Sequence, residues 1–462
     1  MYFTKTVNKL FAFLTNCILI IVQNVCYLLL YKMEHYAMKN KKLLTVVVLI
    51  VCLTGTLFAR DLSLDDAVSI ALKENLQIKN AQVDLRMSDV AYIYSYNTLL
   101  PTANATATFT QQNEVSGSPN RPVAFTYGIS GSWTFNPAMI TSIRIAYQNY
   151  KNGQITYSQA CDQMKQNIRK LYFALVLQQK SLDIQKATLQ AQKARYIQAQ
   201  RDWENGYIPE VALLQSRVAY ENAKPTLEQA EISLDASKRQ FAFLLGLDTE
   251  EELNLTTEID HAFIDMDADK ALSTIEERYD IKSVELQEKL IKMQKEALIE
   301  STFLPSIVLN ASWQPYLFDI NKKGKDYWVD GGSMSGTVAW NLSNLLPTSG
   351  QYKSLSDINN GLKKIENGKE MAYENARIEI LNLIDKLNQA KTTLLSSEGT
   401  VELAQANFDA REQSYIAGTS DFLDLQDAEN QLSQAKLGRL SNQYNYITAL
   451  IDLEYATGQQ IF

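Results

Sequence analysis

Apolar residues recur at every seventh position along two long stretches of the chain. A seven-residue apolar repeat is typical of a coiled-coil seam. The pattern predicts two helices of roughly 70 residues, 136–205 and 348–417, each about 105 Å long at 1.5 Å per residue. The two series are Ile168, Leu175, Leu182, Leu189, Tyr196 and Trp203, and Ile380, Leu387, Leu394, Val401, Phe408 and Tyr415.

The two apolar series are related by a constant offset of 212 residues. The same offset carries Gly206 onto Gly418 and Gly246 onto Gly458 without a gap. A shared register together with matching glycines indicates a tandem duplication. We therefore divide the chain into repeat 1, residues 60–250, and repeat 2, residues 251–462. Each repeat is predicted to contain a helix, a β-hairpin, a long helix and a shorter helix.

Each long helix is predicted to end at a glycine, Gly206 or Gly418, because glycine readily takes the left-handed conformation that ends helices. Thr419 or Ser420 can cap the next helix, and Asp421 suits its first turn. Asp421, Asp424 and Asp427 then recur at every third position, close to one face of that helix. Taken alone, such a row of acids is typical of a solvated helix end.

In the first half of each repeat the apolar period changes from helical to alternating. A helix is predicted from Leu64 to about Leu100, and alternation then predicts β-hairpins within residues 102–133 and 306–341. The strands approach the length of about 9–11 residues that a tilted transmembrane strand needs. Trp133 and Trp340 stand at their helix-proximal ends, where membrane-interface aromatic residues occur.

A soluble sheet with one wet face is the commoner explanation for such strands. Four strands leave two open edges, which the hydrocarbon core of a membrane does not tolerate. Entry into a membrane would therefore require several chains to close one barrel. Three copies of four strands would give a barrel of twelve.

The N-terminal segment reads as a targeting sequence. Residues 38–59 place lysines before an apolar run and small residues after it, which is the pattern of a signal peptide. Residues 1–37 precede it as a doubtful upstream segment, and we expect translation to begin near Met38.

Composition argues against several classes of function. Without residues 1–59 the chain carries 38 basic and 51 acidic residues, a net charge of −13, so we expect no nucleic acid partner. His261 and Cys161 are then its sole histidine and cysteine, too few for a Ser-His-Asp site or a His/Cys metal cluster. We expect no catalytic residues, no metal ligands and no cofactor.

Residues from about 61 to 462 resemble the outer membrane efflux proteins typified by TolC. The resemblance rests on Leu64-Asp-Asp-Ala67 with Asn75, on a Leu-Pro pair before each hairpin and on the two glycines. Its most specific motif is Gly418-Thr-x-x-x-Leu-Asp-Leu-x-Asp-Ala428. It implies a mainly α fold with a small β part, in which a long antiparallel α-helical barrel joins four transmembrane β-strands per protomer, completed by trimerisation.

The same resemblance implies a function in the outer membrane, with a helical tunnel in the periplasm. The homotrimer would be the passive channel-tunnel of a tripartite efflux or type I secretion system, in contact with outer membrane lipid. Its partners would be a periplasmic adaptor (membrane fusion) protein and an inner-membrane pump of RND, ABC or MFS type. The alternative is an elongated periplasmic helical scaffold or adaptor without a pore.

The resemblance also implies a periplasmic gate. Asp424 and Asp427 match the two aspartates that ring the constriction, and Tyr415 matches the tyrosine that helps hold it shut. The turns at Gly206 and at Gly418-Thr419 match those that dock the adaptor. Ser420 and Ala212 stand where an arginine and an acid are expected, so we expect a different lock, through Glu210 or Arg217.

Overall fold

The computed structural model describes residues 60–111, 123–257, 263–317, 328–329 and 331–459. The chain divides into two units, Met1–Arg60 and Asp61–Phe462. The predicted upstream segment 1–37, the signal peptide 38–59 and His261 lie outside the described residues.

The chain is mainly α-helical with a small β part, which confirms the predicted fold class. The first half contains β1 (Arg60–Leu62), α1 (Leu64–Glu74), α2 (Leu76–Ser95), β2 (Thr102–Gln111), β3 (Val123–Phe135), α3 (Ala138–Glu204) and α4 (Glu210–Leu245). The second contains β4 (Leu253–Leu255), α5 (Ala268–Leu272), α6 (Tyr279–Phe303), β5 (Ser306–Trp313), β6 (Tyr316–Leu317), β7 (Trp328–Val329), β8 (Gly332–Ala339), α7 (Gly350–Ile416) and α8 (Phe422–Thr457).

The two longest helices, α3 and α7, contain 67 residues each and extend about 100 Å at 1.5 Å per residue. Near the strands, α2 packs on α3, α3 on α6 and α6 on α7. Near the opposite end, α4 packs on α3, α3 on α8 and α8 on α7. The helices thus form a four-helix layer at each end. One free edge of the layer is formed by α2 near the strands and by α4 at the opposite end. The other free edge is formed by α7 at both ends.

The apolar core lies around the middle of the long helices. Tyr172 and Phe241 are buried in one cluster, where the Tyr172 hydroxyl donates to the Leu62 carbonyl at 2.9 Å. A second cluster surrounds Ile380 and Tyr446. Within the described residues, no helix combines the length and the apolar character needed to cross a bilayer.

The prediction of one helix from Leu64 to about Leu100 was wrong, because the chain breaks at Asn75. Its backbone is extended, with φ −61° and ψ 132°. The Asn75 side chain accepts from the Gln77 N–H at 2.7 Å and donates to the Leu244 carbonyl at 2.6 Å. Gly246, at φ 77°, approaches the same joint, and an added Cβ would lie 2.7 Å from the Glu74 carbonyl oxygen. The break therefore docks the end of α4 against the α1–α2 junction.

The main strands form an antiparallel sheet in the order β2-β3-β5-β8, and the short strand β6 pairs with β3 while β7 pairs with β6. Apolar residues share one face, since Ile129 lies opposite Trp313 and Ile307 lies opposite Val338. Polar residues share the other, where Asn310 lies opposite Ser335. Every residue of β8 is exposed, and β2 and β8 form the open edges. Sequence alternation did not predict β6 and β7.

Candidate functional site

The two helical hairpins end in matching turns. Hairpin 1 consists of α3 and α4 and turns at Gly206, and hairpin 2 consists of α7 and α8 and turns at Gly418. Both glycines are left-handed, with φ 77° and 75°. The Gly418 N–H donates to the Tyr415 carbonyl at 3.0 Å, and the Thr419 N–H donates to the Ser414 carbonyl at 2.9 Å. These paired bonds satisfy helix-end carbonyls, and glycine is favoured because of its positive φ.

The residue that caps α8 is Asp421, and not Thr419 or Ser420 as the sequence predicted. The Asp421 carboxylate accepts from the Asp424 N–H at 2.9 Å. The Thr419 hydroxyl donates instead to the Ser414 carbonyl, and the Ser420 hydroxyl to the Asp424 carboxylate. Asp421 can reach the third N–H of the helix because its own backbone is extended, with φ −88° and ψ 171°.

The two predicted gate acids lie on the first turns of α8. Asp424 is half exposed, and its carboxylate accepts from Ser420 at 2.9 Å and from the Arg411 guanidinium at 3.3 Å. Asp427 is exposed about one turn further along. Arg411 lies on α7, so the partners of Asp424 belong to its own hairpin. The sequence analysis did not identify Arg411, which lies 13 residues away across the turn.

Tyr415 faces the first hairpin from the last turn of α7. Its ring packs edge-to-face on Phe422, with the ring centres 6.3 Å apart. Burial raises the pKa of its phenol, the negative charge of Asp202 raises it further, and the positive charge of Arg195 opposes both. Since Asp202 and Arg195 belong to α3, Tyr415 lies where the two hairpins meet.

The two hairpins are joined by an ion pair between Arg195 of α3 and Glu429 of α8. The side chains of these residues are 18% and 10% exposed. Glu210 and Arg217, the residues expected to form the lock, are exposed on α4. The sequence does carry a signal, because Glu429 interrupts the buried apolar stripe of Leu425, Ala428 and Leu432. A charged side chain at such a position requires a partner.

Burial raises the pKa of the Glu429 carboxyl, and the ion pair with Arg195 only partly offsets that rise. Glu412 of α7 contributes a smaller rise through its negative charge. Among the described residues, no group of His, Cys, Asp and Glu side chains is arranged to hold a metal ion.

The two predicted membrane-interface tryptophans lie at the helix end of the sheet. Trp133 is near the end of β3 and half-buried, and Trp340 directly follows β8 and is exposed. They are about 207 residues apart in sequence and share this end of the sheet. Their role at a membrane interface stays a prediction.

The long antiparallel helices, the four-stranded sheet with one apolar face and the glycine-turned tips are those of a TolC-like channel protomer. Residues 67–247 match the family of outer membrane efflux proteins, which is the family that the sequence resembles. It is an outer membrane protein whose helical part extends through the periplasm.

Similar proteins agree with this assignment. The probable efflux pump outer membrane protein SepC of Pseudomonas putida is 21% identical over 416 residues, covering 88% of this chain and 85% of SepC. The crystal structure of CusC has a TM-score of 0.76 at 17% identity, covering 87% of this chain and 94% of CusC. The CmeC outer membrane channel of Campylobacter jejuni has a TM-score of 0.74 at 15% identity, covering 86% and 85%.

Proposed function

We propose that three copies of this chain form the channel-tunnel of a tripartite efflux or type I secretion system. The assembly is a passive exit duct, gated at its periplasmic tip by Asp424, Asp427 and Tyr415. The observation that carries this proposal is that both free edges of the four-helix layer expose apolar stripes, while both edges of the sheet are unpaired.

The edge helix α2 exposes a stripe of Leu76, Val83, Met87, Val90 and Tyr94. Leu85 and Ser88 of α2 lie next to Gly153 of α3, so they mark the face of α2 that contacts α3. Met87 follows Leu85 by two positions, and Val90 follows Ser88 by two positions. Two residues turn a helix by about 200°, so the stripe points away from α3. Such a heptad-spaced apolar edge supports packing against another helix.

The other edge helices carry similar stripes. On α4, Leu214 and Val218 are exposed and each stands two positions from the buried Ser216. On α7, Met371 and Ile378 are exposed at a spacing of seven residues. The α7 edge of one copy can therefore pack on α2 and α4 of the next, which generates a ring.

The sheet supports the same arrangement. Because β2, β3, β5 and β8 alternate in direction, β8 of one copy would run antiparallel to β2 of the next. Three copies would then close a barrel of about twelve main strands, and closure removes the open edges. The exposed apolar face, with Ile129 and Trp313, would face lipid. The Ser, Thr and Asn face would line the lumen.

The tips provide the surface for the periplasmic partner. Tyr207 and Ile416, which flank the turns at Gly206 and Gly418, are 79% and 78% exposed. Large apolar side chains so exposed beside a turn are typical of interaction sites. We assign this surface, with Thr419, to an adaptor protein, which in turn engages an inner-membrane pump of RND, ABC or MFS type.

The test is the oligomeric mass of the purified protein in detergent together with single-channel conductance in planar bilayers. Wild type should be trimeric and conducting. Met87→Glu/Val90→Glu places two charges in the α2 stripe and should give non-conducting monomers. Gln82→Glu, an exposed position beside the stripe, is the matched control and should leave the trimer intact. A water-soluble, non-conducting wild type would support the periplasmic scaffold instead.

A further inference from the structure

Near the tips, the two hairpins are joined by one buried ion pair, whereas the pairs Arg169–Glu454 and Lys170–Asp452 join α3 to α8 nearer the middle of the helices. Within the part of the chain that the structure describes, Glu429 is the single charged residue in the buried set. Its partner Arg195 comes from the other hairpin, 234 residues away in sequence. A buried charge is tolerated when it is paired, so the position of the tip end of α8 against α3 depends on this contact.

Arg195 also binds the second arm of hairpin 2. Its guanidinium lies 5.5 Å from the ring centre of Phe408 on α7, within the range of a cation–π contact. One side chain of hairpin 1 therefore contacts both helices of hairpin 2. Loss of Arg195 would therefore remove a contact to each helix of hairpin 2 at once.

The packing around the pair is incomplete. A cavity of about 10 Å³ adjoins it, with Gln192, Ser216 and Phe422 among its lining residues. The Gln192 side-chain oxygen is buried there without a hydrogen-bond partner. The space suits about one water molecule.

The gate acids do not provide an equivalent connection. The Asp424 carboxylate accepts from Ser420 and from Arg411, both of which belong to hairpin 2. These contacts shape the turn of hairpin 2 without tying it to hairpin 1. Gating acids and hairpin attachment are therefore separate features of the tip.

We propose that Arg195 and Glu429 form the lock that holds hairpin 2 against hairpin 1 in the closed tip. The inference deepens the proposed function and rests on it, since it identifies the contact that must part when the duct opens. Glu429 lies eight residues beyond the cap Asp421, which is about 12 Å along the helix axis. When the lock parts, the end of hairpin 2 moves with both gate acids attached.

The test measures the separation of the two tips directly. Spin labels at Tyr207→Cys and Ile416→Cys, in a cysteine-free background, report the distance between the hairpins by double electron–electron resonance. Arg195→Met and Glu429→Met each leave one buried charge uncompensated, which should raise the open population by roughly a hundredfold. Single-channel conductance should rise with it.

The double variant Arg195→Met/Glu429→Met is the decisive comparison. Two apolar side chains leave no uncompensated charge, so the distance distribution should return towards that of wild type. If each single substitution opened the tip through general damage to packing, the two effects would add, and the double variant would be more open than either single variant. The matched control is Lys186→Met on α3, whose partner Glu231 belongs to hairpin 1, and it should leave the distance unchanged.

Two outcomes separate this inference from the proposed function. Single variants that assemble, yet keep the wild-type distance and conductance, would overturn the lock and leave the duct intact. A wild type that forms no channel would overturn the duct, while the distances would still report whether the pair holds the hairpins together. If a single variant fails to assemble, Glu429→Gln replaces it, because glutamine keeps the shape of the side chain and removes its charge. A wild-type distance in that variant would overturn the lock.

Discussion

Trp133 donates its indole N–H to the main-chain carbonyl of Leu99 at 2.8 Å. Trp340 makes the corresponding bond to the Phe303 carbonyl at 3.2 Å. Both acceptors are helix-end carbonyls two residues before a proline, where helical partners are missing. Each β-hairpin is thereby hydrogen-bonded, at its helix-proximal end, to the end of the helix that precedes it.

Trp133→Phe keeps an aromatic ring and removes the donor. The Leu99 carbonyl then loses its partner, so we expect a loss of about 1 kcal/mol of stability. Thermal unfolding of the assembled protein in detergent measures it. Since the hydrogen bond is internal, the loss should persist in detergent and in lipid alike. A loss confined to lipid would show that the ring acts through the membrane interface instead.

Gly246→Ala should destabilise the junction of α1, α2 and α4. The left-handed backbone costs a side chain about 1–2 kcal/mol, and the added Cβ would collide with the Glu74 carbonyl. Gly438→Ala is the matched control, because Gly438 lies inside α8 with nothing within 4 Å of an added Cβ. There alanine should stabilise by about 0.5–1 kcal/mol. Equal effects in thermal unfolding would contradict this account.

Arg411→Met should increase the preference of the channel for cations without widening it. Arg411 lies 3.3 Å from the Asp424 carboxylate, and its removal leaves the negative charge of Asp424 without this partner in each copy. The pair is exposed and contributes less than about 1 kcal/mol to stability, so the fold should not change. Reversal potentials under a salt gradient measure the preference.

Arg201→Met is the control for the Arg411 variant, since it removes the same charge from an exposed position in the last turn of α3. It should leave the reversal potential closer to that of wild type. An equal shift in both variants would mean that net charge, and not the contact with Asp424, controls selectivity.

The sequence predicts the elements whose pattern is local and periodic. Heptads predicted α3 and α7, and alternation predicted β5 and β8, because each depends on which face is buried. The break at Asn75 was missed, since it depends on the Leu244 carbonyl, 169 residues away. Arg195 and Glu429 could not be paired from sequence for the same reason. The gate roles of Asp424, Asp427 and Tyr415 stay predictions, as does the duplication.

The free edge formed by α7 is one continuous helix, whereas the opposite edge consists of α2 and α4, which lie on either side of the joint at Asn75 and Gly246. In the proposed ring, each contact between copies therefore places the unbroken helix α7 against two shorter helices, α2 and α4. Helix α4 can pivot about the joint at Asn75 and Gly246 while α2 keeps its contact with α7 of the neighbouring copy. The periplasmic end of the duct can then widen while the end next to the strands stays closed.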